Sequence, residues 1–207
     1  MKLEERIGAW MTEDGCFFRV WAPHAAKVAV LIQDPPFWEI DEPGIIEQEL
    51  EREGDYWSGT VPGVKAGELY RYRIETPGGE VLTRLDPAAR DVLSSELTRH
   101  DPRSRNGSLV PAAQPFAWEE EFTPPRFENY IIYQLHVGSF AGRGDGLDRE
   151  WATFRDVETK LPYIREMGFD CIQLLPVHEF ERDRSWGYNP ASFFAPESSY
   201  GTPHDLA

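Results

Sequence analysis

No stretch of the chain approaches the ~18 consecutive apolar residues that a bilayer-spanning helix needs. The opening, MKLEERIGAWMTEDG, is charged and lacks an apolar h-region, so no secretory signal is visible and a cytoplasmic location is expected. Basic residues are the minority. Twenty-one Lys and Arg stand against 36 Asp and Glu, a formal net charge of −15. A surface of that sign repels phosphate backbones and anionic lipid, which argues against nucleic-acid and membrane partners. It does not repel a neutral polymer. Cysteine is scarce too. Cys16 and Cys171 lie far apart, each in an apolar strand-like run, so two buried free thiols are expected rather than a disulfide, as suits a reducing compartment. Aromatic residues, by contrast, are plentiful: 13% of the chain, with seven Trp and eight Tyr. Flat aromatic faces bind sugars, although aromatics more often fill cores.

Residues 1–85 carry the period-two alternation of half-buried strands. Phe17 to Trp21 is one such run, ended by Ala22-Pro23. Lys27 to Gln33 sets Val28, Val30 and Ile32 on one face. Ile45 to Glu51, Tyr56 to Val61 and Leu69 to Ile74 follow, the last with Tyr70, Tyr72 and Ile74 opposed to Arg71 and Arg73. Turn signals such as Glu42-Pro43-Gly44, Pro62-Gly63 and Pro77-Gly78-Gly79 separate the runs. Short strands spaced this way predict a small antiparallel β-sandwich.

Residues 86–128 lose periodicity and are punctuated by Pro102, Pro111, Pro115, Pro124 and Pro125. A structureless loop of that length is uncommon inside a compact domain, so this segment is expected to be an ordered connector against its neighbours. Residues 129–207 have a different rhythm. Tyr130 to Val137 reads as a strand buried on both faces. Thr153 to Met167 reads as a helix with Thr153 as N-cap, Phe154, Val157, Leu161 and Ile164 on its buried face, Gly168 after its end, and a kink at Pro162. Phe169 to Val177 is the second buried strand. Strand, helix and strand in this order make a βαβ unit and hence a parallel sheet. Thr202 and Pro203 open a further helix.

Three segments resemble the α-amylase (glycoside hydrolase) superfamily, in particular its glycogen-branching and related members. FFRVWAPHAAKVAVLI (17–32) resembles the opening strands of that family's N-terminal glycan-binding sandwich. YIIYQLHVGSF (130–140) is similar to the first strand of its barrel. MGFDCIQLLPVHEF (167–180), followed by WGYNPASFFAPESSYGTPHDL (186–206), matches the second barrel strand, the loop after it and the next helix start. The fold implied is an immunoglobulin-like β-sandwich followed by the first β/α units of an incomplete (β/α)₈ TIM barrel, ending after strand two. The activity implied is α-1,4 cleavage with α-1,6 transfer by a retaining mechanism, in which one Asp attacks, one Glu protonates and a second Asp steadies the transition state. In the family these acids follow barrel strands four, five and seven. A complete barrel takes ~250 residues, so they fall outside this chain, which is expected to be inactive alone. Malto-oligosyltrehalose trehalohydrolase, an isoamylase-type debranching enzyme and a non-catalytic glycan-binding module are the alternatives. The implied partner is an α-glucan: glycogen, starch or malto-oligosaccharide. No cofactor is implied, since glycosyl transfer by this route needs only carboxylates.

For individual residues, the resemblance makes Tyr188 a sugar-stacking residue beside the scissile bond; the bland alternative is a buried loop tyrosine. Trp186 and Asn189 belong to the same motif and could equally hold the loop. Trp38 and Trp57 are the candidates for a glycan platform on the sandwich, against the ordinary role of packing, whereas Trp21 is expected in the core. His136 either faces a barrel mouth or supports the core. His178 and Glu179 do not form a metal motif, because HEFER departs from HExxH at Arg182. Glu179, Glu181 and Asp183 read as a solvated charge run in a loop rather than as catalytic acids.

Overall fold

The computed structural model describes residues 2–34, 38–39, 45–93, 104–112, 117, 122–181 and 184–207, with the backbone alone for 4, 38, 39, 104 and 105. The alternating N-terminal region forms β1 (Gly8–Met11), β2 (Gly15–Trp21), β3 (Lys27–Gln33), β4 (Trp38–Glu39), β5 (Ile46–Glu49), β6 (Glu51–Glu53), β7 (Tyr56–Pro62), β8 (Leu69–Glu75) and β9 (Val81–Arg84). Two short strands follow, β10 (Ser104–Arg105) and β11 (Ser108–Leu109). One antiparallel sheet runs β1-β2-β7-β6; the other runs β11-β8-β3-β5, with β9 also on β8 and β10 paired apart with β4. Their inner faces meet in a single core of Phe18, Val20, Val28, Val30, Ile32, Trp57, Val61, Tyr70 and Tyr72. Each sheet thus buries one stripe of its alternation, the stable solution for two half-apolar sheets.

The run from Ile45 to Glu51, expected as one strand, is divided between the sheets. The Leu50 amide donates to the Val28 carbonyl at 2.9 Å and its side chain drops into the core. Before that residue the chain pairs with β3; after it the chain pairs with β7. One inward leucine is the corner at which the strand changes sheet.

Described residues between 86 and 109 cover the back of the second sheet. Leu31 points away from the main core and packs with Leu69 and Leu93, with Ile45 and Leu109 alongside. Asp86 is fully buried: it accepts from Tyr70 Oη at 2.6 Å and from the Ala88 amide at 2.8 Å, and its own amide donates to Ser108 Oγ at 3.1 Å. Ala89 and Val92 form a separate small cluster with Ala195, far along the chain.

Beyond residue 129 the elements are β12 (Ile132–Leu135), α1 (Val137–Phe140), α2 (Phe154–Glu166), β13 (Cys171–Leu174), β14 (His178–Phe180), β15 (Pro190–Pro196) and α3 (Pro203–Leu206). β12 and β13 pair in parallel, Ile132 with Cys171 through Leu135 with Leu174. Helix α2 starts at a capping box in which Thr153 Oγ1 accepts from the Asp156 amide and the Asp156 carboxylate accepts from the Thr153 amide at 2.7 Å. It runs unbroken through Pro162, and Gly168 follows in the left-handed region at φ 91°. Thr202 and Asp205 repeat the capping box at α3.

Several expectations need correction here. Both parallel strands are four residues long, shorter than their apolar runs, and Ile131 and Ile132 are exposed rather than buried on both faces. Among the described residues the parallel sheet has only two strands. Leu161 is likewise exposed. Cys16 is buried and free, its thiol pushed up to about 12 mainly by burial, but Cys171 is only half-buried. Trp21, expected in the core, is 57% exposed. No described helix is long and apolar enough to cross a membrane.

Candidate functional site

The parallel pair aligns its carboxyl ends, and the chemistry-bearing loop stands there. After Leu135 the chain enters α1 through His136, whose Nδ1 accepts from the Ser139 amide at 3.2 Å. That bond leaves Nε2 as the N–H that donates to the Ser185 carbonyl, 2.9 Å away. The β13 end is tied in at the same level, since the Leu175 amide donates to the Leu135 carbonyl at 2.8 Å. His136 is therefore neither a free group in a mouth nor core filler. It links the end of β12 to the loop Ser185–Asn189.

That loop is shaped by Gly187, which sits at φ 83° against the Pro176 carbonyl; a Cβ there would come within 2.3 Å of the oxygen. Only glycine takes that turn with that approach. The Gly187 amide donates to Ser185 Oγ at 3.1 Å, and Ser185 Oγ donates to Asn189 Oδ1. With the backbone pinned from beneath, Trp186 and Tyr188 are turned outward, each 72% exposed. Trp186 lies 6.5 Å from the His136 ring in a tilted arrangement. Asn189 holds the loop through Ser185. The loop thus presents two aromatic faces on a rigid base, an arrangement suited to stacking on a flat neutral ligand.

Behind the loop is a buried polar layer that sequence reasoning missed. β14 and β15 form a hairpin whose register shifts at Glu179. Glu179 is 4% exposed, not solvated as its charged surroundings suggest. Its carboxylate accepts from the Ser198 amide at 2.7 Å and Ser198 Oγ at 3.3 Å. Glu197 is also buried and accepts from the amides of Phe180 and Ser199, each at 3.1 Å, and from Ser199 Oγ. Burial above all, and then the charge of Glu197, push the Glu179 carboxyl up to about 8. Their hydrogen bonds tie the hairpin to the turn at 197–200, and their burial keeps them from solvent. They bind the fold together rather than face a substrate.

Tyr200 is the hub of this layer. Its hydroxyl lies 3.0 Å from His136 Nε2, and its ring meets those of His136, Phe154 and Phe180 edge to face. Burial pushes its phenol up to about 12. Gly138 makes room for the ring, since a Cβ there would lie 2.8 Å from it. No apolar periodicity marks Tyr200; its only signal is its place after a Glu-Ser-Ser turn.

On the sandwich the expected burial of two tryptophans is reversed, Trp21 standing exposed and Trp57 buried. Trp57 is buried in the main core, its Nε1 donating to the Ala22 carbonyl at 3.1 Å, so it offers no platform. The backbone of Trp38 lies in β4, but its side chain falls outside the described residues. Among the described residues no three His, Cys, Asp or Glu side chains gather as metal ligands, and His178 instead meets the Phe193 ring.

The described residues thus set a β-sandwich before a parallel βαβ unit, with an aromatic loop at the strands' carboxyl ends. Residues 6–89 match the family model for carbohydrate-binding module 48 (isoamylase N-terminal domain). Over nearly its whole length the chain is similar to part of several 1,4-alpha-glucan branching enzymes. It is 30% identical to that of Thermosynechococcus vestitus, with 99% of this chain and 29% of the relative covered. It is 34% identical to that of Bacillus subtilis, with 94% and 30% covered. A structure from Salmonella typhimurium, described as a candidate alpha amylase, superposes with a TM-score of 0.72 at 30% identity, covering 96% of this chain and 29% of that one. The chain therefore spans about 30% of the length of the curated relatives it matches.

Proposed function

We propose that this chain is the N-terminal portion of a cytoplasmic 1,4-α-glucan branching enzyme. In this reading residues 1–85 are a glycan-binding β-sandwich, 86–128 a connector, and 129–207 the opening β/α units of a (β/α)₈ barrel. The complete enzyme cuts an α-1,4 link and passes the freed chain to a 6-hydroxyl through a covalent glycosyl intermediate. The carboxylates for those steps come from outside these residues. What this chain supplies is binding. Tyr188 stacks on a sugar ring, with Trp186 beside it and Asn189 holding the loop. The supporting observation is the rigid Trp186–Gly187–Tyr188 loop at the carboxyl ends of the parallel pair, where barrels of this kind build their sites, in a chain similar throughout to branching enzymes.

A debranching activity is the second reading, favoured by the isoamylase description attached to the module at residues 6–89. Assay of the complete protein separates the two. Branching lowers the iodine colour of amylose with no rise in reducing ends, whereas debranching releases reducing ends from glycogen. Activity on neither overturns the proposal. In the complete protein Tyr188→Ala is expected to lower kcat/KM about tenfold, roughly the 1.4 kcal/mol of one aromatic contact. The 207 residues alone are expected to turn over neither substrate.

A further inference from the structure

We propose that the outer face of the β1-β2-β7-β6 sheet carries a second α-glucan-binding platform, built on the open indole of Trp21 with Arg19, held over the Tyr56 ring, beside it. The ligand class rests on the reading above; the location rests on strand geometry. Along β2 side chains alternate across the sheet, and Cys16, Phe18 and Val20 are in the core, so Arg19 and Trp21 stand outside. The register sets Trp21 opposite Tyr56, and Tyr56 opposite Glu53. One rung of the outer face is thus Glu53–Tyr56–Trp21. The next is Glu51–Ser58–Arg19.

The two rungs differ in chemistry. The first offers an indole left mostly open to water, beside a half-buried phenol. The second brings the Arg19 guanidinium 4.4 Å over the Tyr56 ring and 3.4 Å from the Glu53 carboxylate. Arg19 Nε is buried with no partner among the described residues. A pyranose has an apolar C–H face and a rim of hydroxyls that both donate and accept. A flat ring flanked by a fixed guanidinium and carboxylate meets both requirements, and a neutral sugar is indifferent to the net charge of −15.

The platform is also stiff. The Ala22 amide donates to the Asp55 carbonyl at 3.0 Å, and Arg52 Nη2 donates to the Pro23 carbonyl at 2.9 Å. These bonds lock the residues after Trp21 to the β6–β7 turn, so little order has to be gained on binding. The other described sandwich tryptophans are not open in this way. Trp10 is on the same face, but Arg6 and Arg90 lie over its ring at 4.4 and 3.7 Å. Trp57 faces the core.

The test is a maltoheptaose titration of the 207-residue chain, following tryptophan indole N–H signals by NMR. Trp21→Phe identifies the Trp21 signal by its loss, and Tyr188→Ala serves as comparison. The Trp21 signal is expected to move most. Trp21→Ala should weaken binding at least fivefold, Trp21→Phe about two- to threefold, and Tyr188→Ala less than twofold, at sugar concentrations to about 10 mM. Retained dispersion of the remaining indole signals shows that each variant is folded. If the chain binds but the Trp21 signal is still and Trp21→Ala binds as well as the parent, the platform is overturned while the α-glucan reading stands. If no signal moves at all, the platform is again overturned, and the branching assay on the complete protein decides the wider reading by itself.

Discussion

Replacing Glu179 by glutamine should remove a loss of stability that the parent chain suffers between pH 6 and pH 8. Glu179 is enclosed by the hairpin and the turn at 197–200, and the groups facing it are Ser198, Glu197 and, from the connector, Asp91. Burial is the largest cause of its weakened acidity, the Glu197 charge the second; the Ser198 hydrogen bonds oppose both. The folded carboxyl thus holds its proton up to about pH 8, whereas in the unfolded chain it lets go near 4.5. Where the fold binds the proton and the unfolded chain does not, raising the pH favours unfolding. Stability conferred by the protonated group is therefore full below the unfolded value and is lost as the pH climbs to about 8. Asp91, which burial pushes up to about 6, and the buried Asp86 act in the same direction, so the part of the drop that belongs to Glu179 is the part that Glu179→Gln removes. Two pH units at about 1.4 kcal/mol each, less the part still unreleased near pH 8, give a drop of about 2 kcal/mol. Glutamine keeps an oxygen for the Ser198 amide and cannot titrate. Its absolute stability will differ, so the slope is the readout. Urea unfolding followed by tryptophan fluorescence at pH 6 and 8 measures it. Equal stability of the parent at the two pH values, or the same drop in Glu179→Gln, would refute the reasoning.

Gly187→Ala should lose about 2–4 kcal/mol locally, since it combines a left-handed φ with a Cβ driven onto the Pro176 carbonyl. The check is faster amide exchange across residues 184–189 together with a shifted Trp186 indole signal; an unchanged loop would sink the claim that this glycine shapes it. Trp57→Ala should cost about 3–5 kcal/mol in urea unfolding, and Trp21→Ala less than about 1 kcal/mol, because only the first opens a cavity in the core. Similar losses for both would contradict the assignment of the two residues to opposite faces.

The sandwich strands β2, β3, β7 and β8 were legible because alternation and turn residues agree there, whereas β1 and β9 were not named. β3 and β8 fall within a residue of their apolar runs, and Tyr70 and Tyr72 face inward as their spacing requires. The caps of α2 and α3 were legible for the same reason: Thr153 and Thr202 are local signals that need no tertiary partner. The expected burial of Trp21 and Trp57 was reversed because parity, not residue type, decides the face. Val20 pairs with Trp57 and is inward, so Trp57 is inward and Trp21 is not. Nearness to a turn, such as that of Trp57 to Asp55, says nothing about the side of the sheet on which a residue stands. Strand pairing was needed to read them.

The candidate loop was legible only as a motif, and its support was not. Trp186 and Tyr188 can be named from the sequence, yet what fixes them comes from two distant places, His136 after β12 and Pro176 after β13, together with the neighbouring Ser185. The acids behind them were misread for a physical reason. Glu179 lies in a charged stretch, HEFERDR, and charge runs are usually solvated; its enclosing partner, Ser198, is 19 residues further on. A carboxyl group survives such burial only when neighbouring amides and hydroxyls satisfy it, as the 197–200 turn does for both glutamates. The same turn delivers Tyr200 to His136, and the hairpin delivers Ala195 to Ala89 and Val92 of the connector. One buried polar layer thus joins the loop that presents the aromatics to the described residues that cover the back of the sandwich.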